Sequence, residues 1–342
     1  MNARWSSVVG RWALALSERS ESKGLVAGAG ARLAAGARSL EPGAFVDRAA
    51  FVLALAAVSC LLACGAPSRD RDADRSRPPT RIISLVPAAT EMLFAMGAGP
   101  RVIAVSSFDH YPHPVEMLPR VGALLDPDIE RIIALRPDLV VLFEGQVELR
   151  EKLAQAGIRV FVYPRPTLAD IVTTLRSLGR QVGLGERADR EADAIESQLD
   201  AVRQKVKGLP PPRTMLVIGR EPGTLRNIFV SGGLGFLSDA LTIAGGANVF
   251  GSVRRENLQV TTEAILASQP DVIVEVVASQ PWRAADIERE THVWNTLPSL
   301  PAVRNHRVYL LMGDEFVTPG PRIVQGAREL SDVLHGTHAT TR

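Results

Sequence analysis

Cysteine is nearly absent from this chain of 342 residues. Its two cysteines, Cys60 and Cys64, lie at the end of one apolar run near the N-terminus, and the rest of the sequence has none. A disulfide framework is therefore excluded for the body of the protein, as is a metal or iron–sulfur site held by thiolates. The same absence excludes a cysteine nucleophile there.

The chain also lacks a large excess of charge of either sign. Its 39 basic and 37 acidic residues leave a formal net charge of +2, whereas nucleic-acid-binding domains normally show a concentrated basic excess. This balance argues against a nucleic-acid binder. The hydrophobic fraction of 46% is sufficient for a packed core, and the length suggests about two domains.

Common catalytic signatures are missing as well. The sequence contains no Walker motif, no His-Glu-x-x-His and no Gly-x-Ser-x-Gly. The stretches beginning at Gly28 and Gly233 start like a dinucleotide-binding loop, but each lacks the third glycine. We therefore predict a protein that is not an enzyme and has no cofactor or resident metal.

One apolar run, FVLALAAVSCLLA at residues 51–63, is shorter than the roughly 20 residues needed to span a bilayer. It is typical of a signal-peptide core, and the sequence LLAC that ends at Cys64 resembles a lipobox. We predict a signal segment at residues 1–63, lipidation of Cys64, and a flexible polar tether at 64–80. The segment before the run is long, so we expect the true start near Val46. The alternative is an apolar helix that happens to contain cysteine.

Strand-like and helix-like segments alternate in the body, which predicts an α/β fold. We expect an N-terminal lobe at residues 81–166, a helical connector at 167–212 and a C-terminal lobe at 213–336. The connector has apolar residues at helical spacing and no strand candidate, and Gly183 and Gly185 indicate a kink or break. The predicted architecture is two Rossmann-like lobes joined by a long rigid helix, with a ligand cleft between the lobes.

A local repeat links the two predicted lobes. The stretch IERIIALRPDLVV, which contains Glu130, returns 133 positions later as TEAILASQPDVIV, which contains Glu263. Each copy predicts a capped helix, a Pro-Asp turn and a buried strand, as expected for a diverged duplication. From the residues alone, the two glutamates are read most simply as carboxylates favoured by the dipole at a helix N-terminus.

The cluster DHYPH holds His110 and His113, which have the residue type of a metal ligand. Imidazoles three positions apart on a loop can bind zinc or a haem iron. We favour the alternative, a polar loop at the rim of a cleft, because no other histidine is placed to complete a site.

Several longer motifs together resemble one family, the vitamin B12/ferric-siderophore/haem periplasmic substrate-binding proteins of ABC importers. They span residues 81–334, and SSFDHYP with LDPDIERI most resembles the members that bind vitamin B12. The resemblance implies two α/β lobes joined by a long helix, a shallow cleft and little movement on binding. The motifs are RIISLVPAATEMLFAMGAG, SSFDHYP, VGALLDPDIERIIALRPDLVV, VSGGLGFLSDALTIAGGANVF, NLQVTTEAILASQPDVIV and PGPRIV.

The resemblance also implies a set of ligand-binding residues. Cobalamin is the favoured ligand, but Leu124 and Asn257 stand where tryptophan is expected, and Thr318 stands where a basic residue is expected. A ferric siderophore or haem therefore stays open, and an α/β chelatase-like enzyme is the alternative of another class. The resemblance supplies Phe108, Tyr111, Phe143 and Asp314 as ligand candidates. Pro87 and Thr90 are candidates on a different ground, because the turns at 87–90 and 231–235 open helices whose free N–H groups would face the predicted cleft. Phe229 is a candidate aromatic platform, with a place in the core as the simpler alternative.

The same resemblance gives Glu130 and Glu263 a second role. In the family, one glutamate on each lobe pairs with arginines of a dimeric permease, which works with an ATPase. We expect a monomeric binding protein in the periplasm, held at the membrane through Cys64, that delivers a metal chelate to such a permease.

Overall fold

Two β-sheets organise the body of the chain in the computed structural model, which describes residues 77–164, 167–279 and 281–336. The predicted signal segment, Cys64 and nearly all of the predicted tether lie outside these residues. Within the described part, the model has no helix with the length and apolar character needed to cross a membrane.

The first sheet has four parallel strands in the order β2-β1-β3-β4. All five residues of β3 are buried, as expected for a strand covered on both faces of a parallel sheet. Its strands are β1 (Ile82–Ser84), β2 (Val102–Val105), β3 (Leu139–Phe143) and β4 (Arg159–Tyr163), and its helices are α1 (Pro87–Ala95), α2 (Ile129–Ala134) and α3 (Val147–Gln155).

The connector consists of two helices, α4 (Leu168–Gln181) and α5 (Gly185–Val206), which pack against each other. Thr167 and Asp170 form a capping box that begins α4. The predicted break is present, because Gly183 adopts a φ of +71° between the two helices. The connector is thus a helical hairpin in which α5 supplies the long helix.

The second sheet has the order β10-β9-β5-β6-β8, with β7 beside β5. Strands β5, β7, β9 and β10 are parallel, whereas β6 runs antiparallel to both of its neighbours, β5 and β8. Strands β6 and β8 were not predicted. Its strands are β5 (Arg213–Gly219), β6 (Ile228–Ser231), β7 (Ala247–Asn248), β8 (Asn257–Val260), β9 (Val272–Val277) and β10 (Val308–Met312). Its helices are α6 (Phe236–Ile243), α7 (Thr262–Ser268), α8 (Ala284–His292), α9 (Pro301–Arg304) and α10 (Ile323–His335).

The Pro-Asp repeat has the same structural role in both sheets. The N–H of Asp138 donates to the carbonyl of Arg81 at 2.9 Å, and that of Asp271 donates to the carbonyl of Arg213 at 2.7 Å. The two carboxylates accept the N–H of Arg81 and of Arg213 in return, at 2.9 and 3.1 Å. Each turn therefore fixes a returning strand beside the first strand of its sheet.

The arginines at these strand starts also tie down the preceding helix of the repeat. Arg81 donates to the carbonyl of Leu135, and Arg213 donates to the carbonyl of Ser268, both at 2.7 Å. Helix ends leave carbonyl groups without partners inside the helix. In both lobes an arginine side chain donates a hydrogen bond to such a carbonyl. The predicted α/β class with two lobes is confirmed, and the repeat is present in three dimensions.

One apolar cluster runs through both lobes and the connector. It includes Val141 of β3, Leu175 of α4, Leu199 of α5, Val274 of β9 and Leu330 of α10. A smaller apolar cluster lies on the far face of each sheet, one in each lobe. Because side chains of the lobes and the hairpin share one core, a large change in lobe spacing would expose apolar surface.

Candidate ligand cleft and docking surface

The carboxyl ends of the parallel strands bring the candidate site together. In each sheet the loops that follow these ends lie along one edge, where α/β proteins usually bind ligands. Tyr163, the last residue of β4, donates its hydroxyl to the carbonyl of Pro319 at 2.6 Å. Since Pro319 lies after β10, the two carboxyl edges meet at this contact.

The N-terminal lobe presents three of the predicted ligand residues near this junction. Pro87 is the first residue of α1 and is half-buried. Phe108 and Tyr111 lie in the loop after β2, and Tyr111 is 46% exposed. Their contact with a ligand stays a prediction.

The C-terminal lobe presents two more, Phe229 and Asp314, both partly exposed. Phe229 pairs with Gly219, the last residue of β5. Asp314 follows β10, and its Oδ1 accepts the N–H of Ser279 at 3.0 Å. The backbone thus brings both residues to the carboxyl edge of the second sheet.

The remaining two candidates, Thr90 and Phe143, lie inside the protein. Thr90 is 0% exposed, and its hydroxyl donates to the carbonyl of Val86 at 3.3 Å. Phe143 is 9% exposed and packs in the large apolar cluster. A ligand could touch either side chain only after local rearrangement, so their direct contact also stays a prediction.

Two buried carboxylates support the N-terminal half of the site. Burial raises the pKa of Asp109 and of Glu91 above the ordinary carboxyl values. Ser106 donates both its N–H and its hydroxyl to Asp109, and Arg120 donates to the backbone carbonyls of Ser106 and Asp109. These bonds fix the loop that carries Phe108.

Arg322 joins the two lobes directly. Its Nη2 donates to Glu91 Oε1 at 2.6 Å and its Nε donates to the same oxygen at 3.1 Å. Its guanidinium carbon lies 4.2 Å from the centroid of the Tyr111 ring, within the range of a cation–π interaction. The motifs PAATE and PGPR, far apart in sequence, therefore meet here. Both motifs are visible in the sequence, but nothing there indicates that Glu91 of the first pairs with Arg322 of the second.

A second buried ionic cluster supports the C-terminal half. Arg220, directly after β5, donates from Nε and Nη2 to the two carboxylate oxygens of Glu275 at 2.6 and 3.1 Å. Its Nη1 lies 3.0 Å from Oε2 of Glu290. The indole N–H of Trp294 donates to Glu275 at 2.6 Å. This cluster fixes the start of the hairpin that carries Phe229.

Glu130 and Glu263 occupy equivalent places. Each is the second residue of its helix, α2 or α7, and both are exposed. Asp128 caps α2 through the N–H of Arg131, and Thr261 caps α7 through its hydroxyl. Bonds from its own N–H and from Thr261 lower the pKa of Glu263, so this carboxylate is ionised at neutral pH.

The sequence DPD at 126–128 predicts a helix capped by Asp126, but Asp128 is the residue that accepts the helix N–H, so α2 begins two residues later. Gly122 explains the difference. It adopts a φ of +88°, and a Cβ there would lie 2.3 Å from the carbonyl oxygen of Asp126. The chain turns tightly at 122–127 before the helix that presents Glu130 can begin.

His110 and His113 are exposed, and Nδ1 of His110 lies 3.4 Å from Oε1 of Glu116. Within the described ranges, no group of three histidine, cysteine, aspartate or glutamate side chains is arranged to hold a metal ion. The turn at 231–235 was predicted, like the turn at 87–90, to offer helix N–H groups to a ligand. It follows β6, which runs antiparallel to β5, so it lies away from the carboxyl end of β5.

Comparison with known proteins gives one matching family. The profile of the periplasmic binding protein family matches residues 82–315. A vitamin B12-binding protein of Salmonella typhimurium is 32% identical over 256 residues, which cover 74% of this chain and 90% of the relative. One from Yersinia pestis is 32% identical over 253 residues, or 73% and 84% of the two chains.

Solved structures agree with these sequence matches. The periplasmic vitamin B12-binding protein BtuF of Vibrio cholerae superposes with a TM-score of 0.65 at 27% identity, covering 75% of this chain and 97% of that one. The periplasmic haem-binding protein RhuT from Roseiflexus superposes with a TM-score of 0.63 at 25% identity, with the same coverage. The matched relatives are binding proteins, which confirms the prediction that the chain is not an enzyme.

Proposed function

The chain belongs to the periplasmic binding protein family, and from that premise we propose that it captures a corrinoid and delivers it to an ABC permease. The observation that carries the proposal is the meeting of the two carboxyl edges, which places Tyr111 of one lobe beside Arg322 of the other. A family of this kind acts in the periplasm. The different-class alternative, a chelatase-like enzyme, gains no support from the relatives.

Cobalamin is the ligand we propose first. Two of the relatives named above are vitamin B12-binding proteins at 32% identity. Phe108, Tyr111 and Phe229 supply aromatic surface along the two carboxyl edges, which suits the flat ring of a corrin. Asp314 supplies an acceptor for amide N–H groups on that ring.

Haem or a ferric siderophore is the second candidate. The likeness to a haem-binding protein at 25% identity favours it, as do Leu124 and Asn257, which stand where the resemblance leads us to expect tryptophan. The exposed His110 and His113 suit an iron porphyrin better than the amides of a corrin.

Delivery requires a docking surface, and we assign it to Glu130 and Glu263. The two carboxylates project from duplicated helices, one in each sheet's half of the protein. A pair of related helices suits a permease dimer with two related subunits. Exposed charges of this kind set orientation and encounter rate more than affinity. Lipidation of Cys64, which lies outside the described residues, would hold the protein near its permease.

The test is a titration of the full chain with cyanocobalamin, haemin and a ferric hydroxamate siderophore, followed by tryptophan fluorescence and visible absorbance. We expect saturable one-to-one binding of cyanocobalamin without turnover. Binding of haemin or the siderophore alone would replace the corrinoid by the second candidate, and conversion of any chelate would overturn the transport role.

A matched pair of variants locates the site. Tyr111→Leu should weaken binding about 3- to 10-fold, since an aromatic contact contributes about 0.5–1.5 kcal/mol. Met117→Ala is the control, because Met117 is 85% exposed and lies on the segment that follows the same loop. Equal affinities of the two variants would remove Tyr111 from the site.

A further inference from the structure

We propose that Arg322, in the C-terminal half of the ligand cleft, is a positioning residue that locks the two halves together through its contacts with Glu91 and Tyr111, both in the N-terminal half. Its effect on ligand affinity rests on the proposed function, whereas its effect on the protein itself does not. Arg322 was not among the predicted ligand residues, and the proposal gives it no direct contact with the ligand.

The first tie is the pair formed with Glu91. The side chain of Glu91 is 4% exposed and that of Arg322 is 15% exposed. The two residues are 231 positions apart and belong to different halves of the protein. Separating the lobes would leave the buried carboxylate of Glu91 without its cationic partner. That separation is costly, because an uncompensated charge is unfavourable where water is excluded.

The second tie is the stacking on Tyr111. The guanidinium lies 4.2 Å from the ring centroid, and Tyr111 as a residue is still 46% exposed. Arg322 therefore supports one side of a side chain that remains available to a ligand. A flat guanidinium can stack on a ring while its edge donates to a carboxylate, which a lysine ammonium cannot do.

The backbone around Arg322 makes the junction tight. Gly320 passes so close to α1 that a Cβ there would lie 2.9 Å from Glu91 Oε2 and 3.4 Å from Cα of Ala88. Next to it, Pro319 accepts the hydroxyl of Tyr163. Nη1 of Arg322 also lies 3.5 Å from Oε2 of Glu315. The segment 319–322 thus carries contacts from the C-terminal lobe to two elements of the N-terminal lobe.

Hydrogen–deuterium exchange of the full chain tests the lock without any ligand. In Arg322→Met we expect exchange to rise about 5-fold or more in both 87–97 and 106–117, because both lose their tie to the other lobe. Strand β3 should stay protected. The control Arg328→Met removes an exposed arginine of α10, the helix that begins directly after Arg322. Arg328 donates to Gln198 at 2.8 Å, and its replacement should leave both segments unchanged.

Two milder variants keep the test decisive if Arg322→Met fails to fold. Arg322→Lys should restore protection of 87–97 but not of 106–117, because one ammonium can pair with Glu91 yet lacks the plane that stacks. Tyr111→Leu should raise exchange in 106–117 alone. If the Lys variant left 87–97 unprotected, or if Tyr111→Leu left 106–117 unchanged, the lock would be refuted.

Ligand affinity separates this inference from the proposed function. We expect Arg322→Met to weaken cyanocobalamin binding about 10-fold, with Arg328→Met unchanged. If the wild type binds no cyanocobalamin, the corrinoid proposal fails while the exchange result still decides the lock. If the wild type binds it and Arg322→Met binds equally well, the positioning role is wrong.

Discussion

Removal of the buried guanidinium of Arg220 should destabilise the C-terminal half severely. The side chains of Arg220, Glu275 and Glu290 are 5%, 7% and 8% exposed. Arg220→Met therefore leaves Glu275 buried without its cation and removes the nearer cation of Glu290, which keeps Arg289 at 3.9 Å. Breaking a buried ion pair by removal of one partner costs about 3–5 kcal/mol. That is a large part of the roughly 5–15 kcal/mol by which a folded protein is stable.

The assay is urea unfolding at pH 7 followed by tryptophan fluorescence, with the free energy of unfolding extrapolated to water. Trp294 reports on the site because its indole N–H donates to Glu275. The control is Arg226→Met. The side chain of Arg226 is 71% exposed and pairs with Glu221, and surface pairs contribute about 0–1 kcal/mol.

A loss of about 3–5 kcal/mol corresponds to a fall of the thermal midpoint on the order of 10 °C for a domain of this size. The reasoning would be refuted if Arg220→Met lost less than about 1 kcal/mol, because the cluster would then be no stronger than a surface pair. The same result would leave the hairpin of Phe229 without the support that we assign to Arg220.

Three further predictions concern docking, the repeat and pH. Glu130→Ala combined with Glu263→Ala should abolish uptake by cells yet keep ligand affinity, because both carboxylates are exposed and the capped helices remain. Asp138→Ala should lower the free energy of unfolding more than Asp271→Ala does. The reason is that the side chain of Asp138 accepts three hydrogen bonds, whereas that of Asp271 accepts one. Each bond contributes about 0.5–1.5 kcal/mol. Burial raises the pKa of Glu91 above 4.5, so its folded carboxyl holds a proton more tightly than the unfolded one. Its contribution to stability is present below pH 4.5 and is lost as the pH rises through the raised pKa, and Glu91→Gln should flatten this fall in chemical unfolding measured from pH 4 to 8.

Each of these has a contradicting outcome. Normal uptake by the double glutamate variant would exclude the docking role, and lost ligand affinity would indicate misfolding instead. Equal losses in the two aspartate variants would show that the extra bonds of the first copy add nothing. An unchanged pH profile in the Glu91→Gln variant would mean that another group causes the fall.

The fold was largely predictable because burial leaves a strong pattern. The unbroken apolar run of β3 predicts a strand covered on both faces, and the strand is fully buried. The Pro-Asp repeat predicts matching turns, and Asp138 and Asp271 make matching bonds. Strands β6 and β8 were missed because they lie outside the alternation of strand and helix that guided the prediction: β6 follows β5, and β8 follows β7, without a helix between them.

The site was less predictable for a physical reason. Glu91 and Arg322 pair across 231 positions, and nothing in the sequence specifies which charges meet between two lobes. Thr90 was predicted from its place at the start of a helix and Phe143 from the family resemblance, and neither argument indicates how far a side chain points into the interior. Tyr111 was named in the same way, and it is exposed at the junction.

The separation of Glu91 from Arg322 has a consequence for how the polypeptide reaches its final state. The chain is synthesised from its N-terminus, so the carboxylate of Glu91 emerges more than two hundred residues before the guanidinium of Arg322 that pairs with it. Until β10 and the turn that carries Arg322 have been synthesised, the first lobe holds Glu91 without its cationic partner. We expect the first lobe to complete its folding only when the end of the chain is present. Truncation after β9 should therefore yield an aggregation-prone species and not a stably folded N-terminal lobe.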